Sequence, residues 1–207
     1  MAHATAAAQR LVEQLQPHIR DERVLAAIAA VPRDLFVPAK LADVAWENTA
    51  LPIGSGQTIS QPTVVARMCE LLELRGDERV LDVGTGSGYH AAVLAQLAAE
   101  VWSIEREARL SRRAAGALAA AGVTNVHLVV GDGSRGYPPA APYDGINVAA
   151  TARDEPPRAL EEQLAEGGRL VVPVDGSDQR LMLVRRTPEG FEREWHEPVR
   201  FVPLVEG

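Results

Sequence analysis

Apolar positions recur along this chain with two different periods, and the two kinds of segment alternate. Short apolar runs, typical of buried strands, occupy residues 79–83, 100–105, 126–130, 143–148 and 169–174. Helical spacing occupies residues 5–16, 21–31, 63–74, 88–98, 107–121 and 157–165. Gly167 and Gly168 are expected to end the last helix, and the runs 180–186 and 190–199 predict a closing hairpin. Strands that alternate with helices predict an α/β fold with a doubly wound, largely parallel sheet.

The first part of the chain follows a different pattern. Residues 32–62 are rich in proline, glycine and polar side chains, and they predict irregular structure that crosses one face of the domain. We therefore expect a single domain over residues 1–207. Within it, residues 1–62 would form N-terminal helices and a covering loop, and residues 63–207 would form a Rossmann-like core.

Composition and charge narrow the classes of function. Apolar residues make up 46% of the chain, and 28 acidic against 21 basic residues give a formal net charge of −7. Nucleic-acid binding needs a basic face, so no nucleic-acid partner is expected. The single cysteine, Cys69, excludes an internal disulfide and suits a reducing, cytoplasmic compartment; its apolar surroundings favour packing over reactivity. We expect no signal peptide, no membrane span and no metal site, because the corresponding patterns are absent.

The most specific local pattern is a glycine-rich turn after the strand at 79–83. An apolar run that contains one acid, Asp82, leads into Gly84, Gly86 and Gly88, and a helical segment follows at once. Such a turn between a strand and a helix N-terminus receives nucleotide-like ligands in α/β sheets. The loop carries no lysine or arginine, and Asp82 is poorly placed for a pyrophosphate but well placed for an α-amino group.

Two further acids follow the next two predicted strands. Glu105 ends the run 101–104, where its carboxylate can accept hydrogen bonds from two ribose hydroxyls. Asp132 lies between Gly131 and Gly133, where it can accept a hydrogen bond from an adenine amino group. An ammonium group, a ribose and no phosphate fit S-adenosylmethionine better than NAD, whose fingerprint G-x-G-x-x-G differs from the G-x-G-x-G found here.

A second informative stretch covers residues 51–62, where glycines, hydroxyls and an amide precede a helix that would begin near Pro62. Ser60 falls at or near the N-cap of this helix. One interpretation is a helix cap. The other is an anion site, in which a hydroxyl and free backbone N–H groups bind a carboxylate.

Together, these segments resemble the protein-L-isoaspartate O-methyltransferase family from about residue 20 to the C-terminus. The resemblance rests on V-P-R-D-L-F-V-P (31–38), E-N-x-x-L-P-I-G-x-G-Q-T-I-S-Q-P (47–62), L-D-V-G-T-G-S-G-Y (81–89), G-D-G (131–133), A-P-Y-D-G-I (141–146), G-G-R-L-V-V-P-V (167–174) and R-F-V-P-L-V (200–205). The Q-T-I-S-Q-P block is the specific part, since many methyltransferases share the glycine loop.

The resemblance implies a class I S-adenosylmethionine-dependent methyltransferase with a seven-stranded sheet and an N-terminal helical addition. It also implies methyl transfer to the free carboxylate of L-isoaspartyl residues in damaged proteins, with S-adenosylhomocysteine as the product. Ser60 matches the family's active-site serine and would orient the substrate carboxylate. The predicted cofactor-binding residues are Thr58, Asp82, Gly84, Thr85, Gly86, Ser87, Gly88, Glu105, Asp132 and Gly133.

Substrate binding is expected to involve Ser60 and the backbone around Val202, which either pairs with the substrate main chain or forms a core strand. His90, directly after the glycine loop, either lines the cofactor pocket or lies on a helix surface. The expected partners are isoaspartyl-containing peptides and proteins. We expect a monomer, because no unpaired apolar helix stands out.

One segment departs from the family pattern. After the fourth strand the family usually has an apolar turn with alanine and proline, whereas residues 147–157 here contain Asn147 and the charged run 153–155. This departure leaves the substrate preference open. The alternatives are a carboxyl methyltransferase that modifies an aspartate of a ribosomally made peptide or a small-molecule carboxylate, and a non-catalytic S-adenosylmethionine-binding module.

Overall fold

The computed structural model describes residues 5–205, so residues 1–4 and 206–207 of the expected domain lie outside the described residues. The α-helices are α1 (Ala6–Leu15), α2 (Glu22–Ala30), α3 (Pro62–Leu72), α4 (Tyr89–Leu94), α5 (Ala108–Ala120) and α6 (Arg158–Glu161). The strands are β1 (Leu51–Gly54), β2 (Gln57–Ile59), β3 (Arg79–Val83), β4 (Glu100–Glu105), β5 (Val126–Val130), β6 (Tyr143–Val148), β7 (Ala152–Arg153), β8 (Leu164–Asp175), β9 (Arg180–Thr187) and β10 (Gly190–Pro198). Within residues 5–205, no helix has the length and apolar character needed to cross a bilayer.

The central sheet confirms the predicted doubly wound α/β fold. Its strands follow the order β10-β9-β8-β6-β3-β4-β5, and the short β7 pairs beside β8. Across the sheet, the five neighbouring strands β5, β4, β3, β6 and β8 run parallel. The hairpin β9–β10 continues the sheet beyond β8 in antiparallel pairing. Because β4 and β6 lie on opposite sides of β3, the connections diverge there and leave a crevice at the carboxyl end of β3.

Helices cover one face of this sheet more completely than the other. Leu11 and Ile28 from the N-terminal helices share a core cluster with Met68 of α3 and Leu94 of α4. The opposite face is packed around Leu160, with residues of β6 and β8. The N-terminal helices therefore add to the same layer as α3 and α4, which places the segment between α2 and α3 beside the crevice.

Residues 32–62 are more regular than predicted. Two 3₁₀ helices, Arg33–Phe36 and Ala39–Val44, precede the β1–β2 hairpin. Positive φ angles at Gly54, Ser55 and Gly56 form the turn of that hairpin. The prediction of irregular structure was wrong here, because these glycines serve a tight strand connection rather than an open loop.

The helix predicted at 88–98 is shorter than expected. α4 ends at Leu94 and is followed by turns. The side-chain amide of Asn125 donates hydrogen bonds to the carbonyls of Ala95, Ala98 and Ala99 at 3.0, 3.2 and 3.3 Å. These bonds satisfy carbonyls that a continuing helix would otherwise use.

The helix predicted at 157–165 was also too long. α6 is a single turn, and β8 begins already at Leu164. Gly167 and Gly168 lie inside β8, at a register shift in its pairing with β6. A Cβ on Gly168 would lie 2.9 Å from the carbonyl oxygen of Ala165. The glycine pair therefore marks a strand irregularity rather than a helix end.

Candidate active site

A cleft opens at the carboxyl edge of the sheet, beside the point where the chain connections diverge from β3. Four segments supply most of its wall, and they span residues 57–60, 83–90, 104–106 and 202–205. Ligands of open α/β sheets bind at this kind of crevice. The fold thus brings together the block that contains Ser60, the glycine loop, the tip of β4 and the C-terminal segment.

The glycine loop follows β3 directly and takes a backbone path that requires glycine. The φ angles of Gly84, Gly86 and Gly88 are 93°, 53° and 88°, a region that side chains with a Cβ avoid. The predicted loop residues that line the cleft are Gly84, Thr85, Gly86 and Ser87. Gly88 does not line it, and a Cβ there would lie 3.1 Å from the Cβ of Ala114 on α5. Gly88 therefore allows the loop to pack closely on that helix.

Glu105 lies at the tip of β4 and lines the cleft, as its predicted role requires. One carboxylate oxygen accepts a hydrogen bond from the N–H of Gly86 at 2.9 Å, and the other accepts from the N–H of Glu107 at 2.9 Å. Each carboxylate oxygen has further lone pairs. Glu105 therefore holds the glycine loop in place and retains acceptor capacity toward the cleft.

Asp82 lies beneath the glycine loop and does not line the cleft. Its carboxylate is fully buried and accepts hydrogen bonds from the hydroxyl of Ser103 and the amide of Asn147, both at 2.7 Å. Burial raises the pKa of Asp82 above its ordinary value, while these two hydrogen bonds favour the ionised form. Asp82 therefore lies one layer behind the loop, and its role toward an α-amino group stays a prediction.

Asp82 belongs to a buried chain of polar contacts that runs behind the cleft wall. Its members, in order of contact, are Thr85, Ser103, Asp82, Asn147, His90 and Cys69. Because Ser103 gives its proton to Asp82, the hydroxyl of Thr85 donates to Ser103, at 2.6 Å. The chain connects the glycine loop to the start of α4 and to α3, so it fixes three elements around the cleft.

His90 lines the cleft and is buried, so the helix-surface interpretation was wrong. Burial lowers the pKa of His90 to about 3, and the ring is neutral at pH 7. The amide nitrogen of Asn147 lies 3.2 Å from Nδ1, which makes Nδ1 the acceptor. Nε2 then carries the proton and faces the sulfur of Cys69 at 3.5 Å. Burial also raises the pKa of the Cys69 thiol, which agrees with a packing role.

Ser60 lies two residues before the first residue of α3, Pro62, and lines the cleft. It does not cap α3: the N-cap position is Gln61, and no N-cap side chain bonds to the helix. Instead, the side-chain oxygen of Asn48 accepts hydrogen bonds from the N–H and hydroxyl of Thr63 at 3.1 and 2.9 Å. Among the described residues the Ser60 hydroxyl has no hydrogen-bond partner. It is therefore available to a ligand in the cleft.

Thr58 and Val202 also line the cleft. The carbonyl of Val202 accepts a hydrogen bond from the N–H of Thr151 at 2.8 Å, and the neighbouring Pro203 forms an isolated bridge with Thr151. The C-terminal segment is thus neither part of a named strand nor buried in the core. The carbonyl of Val202 therefore already accepts one hydrogen bond from within the chain and keeps a second lone pair.

Of the predicted G-D-G motif, only Gly133 lines the cleft. One carboxylate oxygen of Asp132 accepts hydrogen bonds from the N–H and hydroxyl of Ser134 at 3.0 and 2.7 Å. The other lies 3.4 Å from the guanidinium of Arg135. Asp132 therefore shapes the turn that presents Gly133, and it does not reach the cleft wall itself.

The divergent segment 147–157 does not bring charge into the cleft. Asn147 belongs to the buried chain of polar contacts. The residues of this segment that line the cleft are Ala149 and Ala150. Arg153 and the two acids after it are exposed and lie outside the wall. The amide nitrogen of Asn147 donates to Asp82 and His90 behind the cleft wall.

Two large side chains of the site were not singled out from the sequence. Tyr89 lines the cleft, and its buried hydroxyl has no hydrogen-bond partner in the described part of the chain. Arg33 is fully buried and packs with its guanidinium carbon 4.7 Å from the centre of the Tyr89 ring. A lone arginine in an irregular segment reads as solvent-exposed, so no local signal could have shown its burial.

Known proteins with similar sequences belong to one family of methyltransferases. The profile of the "Protein-L-isoaspartate(D-aspartate) O-methyltransferase" family matches residues 6–207. A protein-L-isoaspartate O-methyltransferase of Methanoculleus marisnigri is 60% identical over 188 residues, which cover 90% of this chain and 85% of that one. The enzyme of the same name from Halorhodospira halophila is 56% identical over 201 residues, covering 96% and 91%.

A solved structure has the same fold. A protein-L-isoaspartate O-methyltransferase superposes with a TM-score of 0.86 and 28% sequence identity. The superposition covers 97% of this chain and 66% of that longer chain. The fold and the sequence similarity therefore extend over the N-terminal helices as well as the sheet.

Proposed function

Since the chain belongs to the protein-L-isoaspartate(D-aspartate) O-methyltransferase family, we propose residue roles for that reaction in the cleft at the carboxyl edge of the sheet. The protein is an S-adenosylmethionine-dependent carboxyl methyltransferase that acts on L-isoaspartyl residues of proteins. The single observation that carries the assignment of roles is the position of Ser60. Its hydroxyl has no partner among the described residues, and the residue lines the same cleft as the glycine loop.

The residues of the cleft fit this methyl donor. When bound, S-adenosylmethionine supplies a methyl group on a positively charged sulfur. A loop of positive-φ glycines leaves room for close approach of a ligand to the backbone. Glu105 lines the wall, Asp82 lies buried behind it, and the loop carries no cation that would favour a phosphate. We assign cofactor contacts to Thr58, Gly84, Thr85, Gly86, Ser87, Glu105 and Gly133, with Asp82, Gly88 and Asp132 as supports behind the wall.

Methyl transfer to a carboxylate needs no general acid or base from the protein. A substrate carboxyl group with a pKa of about 4 is already ionised at pH 7. The remaining task is to hold a carboxylate oxygen in line for transfer, at near-attack distance. In this proposal the Ser60 hydroxyl donates a hydrogen bond to that carboxylate and orients it. His90 stays neutral and adds no positive charge to a site that receives a cation.

The proposal extends to the surroundings of the site. We propose one domain over residues 1–207; its described N-terminal part, residues 5–62, supports this, since β2 lines the cleft and the N-terminal helices share a core cluster with α3 and α4. Backbone groups near Val202 contact the substrate main chain. A net charge of −7 supports the absence of a nucleic-acid partner, and the buried free Cys69 supports a reducing, cytoplasmic location.

We also propose a monomer. Among the described residues, Leu35, Val130 and Trp195 are exposed large apolar side chains on three different elements, and the fourth, Val205, lies in the C-terminal segment. Light scattering at micromolar concentration tests this proposal, and a mass of twice 22.2 kDa would contradict it.

The Ser60 assignment is tested with paired peptides that differ only in isoaspartate against aspartate, and with methyl-labelled cofactor. Ser60→Ala should lower kcat for the isoaspartyl peptide by about 10–100-fold, because misorientation of a reacting group has a cost of this order. Affinity for S-adenosylhomocysteine, measured by calorimetry, should stay within about 3-fold.

Ser55→Ala is the matched control, because Ser55 lies in the turn of the same hairpin, is exposed and does not line the cleft. This variant should keep full turnover. Unchanged turnover in Ser60→Ala would remove Ser60 from the site. Equal methylation of the two peptides by the unaltered enzyme would instead indicate a broader carboxyl substrate.

A further inference from the structure

We propose that Arg33 is a positioning residue that holds Ser60 in the cleft, an inference that rests on the role proposed above for Ser60. Arg33 is fully buried, and in the described part of the chain no carboxylate lies within ion-pair distance of it. Burying a cation without an anionic partner is costly. An apolar side chain of similar size would fill the same space at lower cost, so the guanidinium needs another explanation.

The explanation lies in what the guanidinium contacts. Nε donates to the carbonyl of Ala45 at 2.8 Å. Nη2 donates to two carbonyls, those of Thr49 at 3.2 Å and Ser60 at 3.0 Å. The three carbonyls belong to the segment between α2 and α3, two of them in the stretch 45–49 and the third just before α3. A planar fork with five donors can join several acceptors in fixed directions, which a lysine ammonium or an apolar chain cannot do.

These contacts bear directly on Ser60. The residue lies after the last residue of β2, Ile59, and before the N-cap of α3, so neither a sheet ladder nor a helix fixes its backbone. Its position is defined instead by two side chains from the preceding segment. Arg33 holds the Ser60 carbonyl, and Asn48 holds the N–H of Thr63, three residues further along. With the main chain held in this way, the hydroxyl stays at the cleft wall.

The same guanidinium also connects this segment to the cofactor side of the cleft. Its central carbon lies 4.7 Å from the ring centre of Tyr89, a cation–π distance. Tyr89 lines the cleft and follows Gly88, the last glycine of the loop. Phe36, from the 3₁₀ turn that begins with Arg33, packs edge-on against the same ring at 5.7 Å. Arg33 thereby sets the spacing between the backbone at Ser60 and the glycine loop.

The experiment is a double-mutant cycle of Arg33→Met and Ser60→Ala. For each variant, kcat and KM are measured well below its melting temperature, and kcat is calculated from the concentration of folded protein. Arg33→Met should lower kcat for the isoaspartyl peptide by about 10–100-fold, while KM changes less than about 3-fold. In the Ser60→Ala background the same substitution should cost less than about 2-fold, because the group that it positions is gone. Arg33→Lys should recover only part of kcat, since one ammonium cannot reach three carbonyls.

Arg169→Met is the matched control. Arg169 also donates to a main-chain carbonyl, that of Leu71 at 3.2 Å, but it lies outside the cleft. This control should keep kcat at the wild-type value. If Arg33→Met does not fold, Arg33→Lys carries the same cycle.

The outcomes separate the two proposals. Equal losses from Arg33→Met in both backgrounds, or a folded Arg33→Met with wild-type kcat, would overturn the positioning role of Arg33. A fully active Ser60→Ala would overturn the proposed function of Ser60 instead. Non-additive losses confined to kcat support both.

Discussion

At the scale of single residues, burial decides what each polar side chain near the cleft can do. His90 and Asp82 lie in one hydrogen-bonded chain, yet burial shifts their pKa values in opposite directions, downward for His90 and upward for Asp82. Desolvation disfavours the charged form in both cases, and the charged form is the protonated one for histidine and the ionised one for aspartate. Asn147 lies between them and donates to each.

The lowered pKa of His90 predicts a dependence of stability on pH. In the unfolded chain the histidine binds a proton below about 6.5, whereas the folded chain resists protonation down to a pKa of about 3. The unfolded state therefore holds more protons between these values, and stability falls as pH is lowered through this window. Relative to His90→Gln, the free energy of unfolding should fall by about 2 kcal/mol more between pH 7 and pH 5.

Urea unfolding of both proteins at each pH measures this difference. The comparison with His90→Gln isolates the histidine, because Asp82 and Cys69, the titratable groups in the same chain, are present in both proteins. Glutamine can accept from Asn147 and donate to Cys69, so the hydrogen-bonded chain persists. Parallel pH profiles for the two proteins would contradict a buried, neutral His90.

Two glycines give a matched pair of predictions. A Cβ on Gly133 would lie 2.5 Å from a methyl of Val83, so Gly133→Ala should destabilise the protein by about 1–3 kcal/mol and weaken cofactor binding. A Cβ on Gly116, inside α5, would meet nothing within 4 Å, so Gly116→Ala should stabilise by about 0.4–1 kcal/mol. Thermal unfolding ranks the two variants, and the reverse order would show that the packing around Gly133 is misplaced.

At the scale of elements, one end of each of two helices near the cleft is held by a side chain from a distant segment. Asn48 satisfies the start of α3, and Asn125 satisfies the carbonyls after α4. In contrast, α1 has a local cap, in which the hydroxyl of Thr5 accepts from the N–H of Ala8 at 3.2 Å. A distant cap fixes a helix end relative to another segment, whereas a local cap stabilises only the helix itself.

This difference predicts two outcomes for loss of a cap. Asn48→Ala and Thr5→Ala should each cost about 1 kcal/mol of stability. Only Asn48→Ala should also lower kcat, because the start of α3 adjoins Ser60. Chemical unfolding gives the first quantity and methyl transfer to the isoaspartyl peptide the second. Equal kcat for both variants would mean that the helix start does not set the position of Ser60.

At the scale of the whole molecule, the cleft exists because the chain connections diverge at β3. The glycine loop, the tip of β4 and residues after β6 meet at that edge, and β2 and the C-terminal segment also line the cleft. Ligand bound there contacts parts of the chain that are far apart in sequence. Binding should therefore stabilise the folded state as a whole.

The expected stabilisation can be measured directly. S-adenosylhomocysteine at 100 times its Kd should add about 2.7 kcal/mol, which corresponds to a rise in Tm of about 5–11 °C for a protein of this size. Gly86→Val should lose this rise, because valine cannot readily adopt the φ of 53° at this position. Ser60→Ala should keep it. A rise retained in Gly86→Val would place the ligand away from the glycine loop.

Much of the fold was predictable because strands and helices have distinct periods. The predicted runs at 79–83, 100–105, 126–130 and 143–148 match β3, β4, β5 and β6, and the closing hairpin matches β9 and β10. The misjudged elements have two causes. The turn at Gly54 is a local hairpin connection rather than the predicted open loop, whereas the early end of α4 and the glycine pair inside β8 depend on contacts with another segment, which local periodicity does not contain.

The sequence by itself determined the order of strands and helices, the glycine loop after β3, the family, and the block that contains Ser60, because each is written in consecutive residues. Tertiary structure alone decided which polar groups face the cleft. It placed Asp82 and Asp132 behind the wall, aligned His90 with Asn147, and buried the guanidinium of Arg33 against the carbonyl of Ser60. The physical reason is that burial and hydrogen-bond partners arise from segments far apart in the chain, 65 residues apart in the case of Asp82 and Asn147.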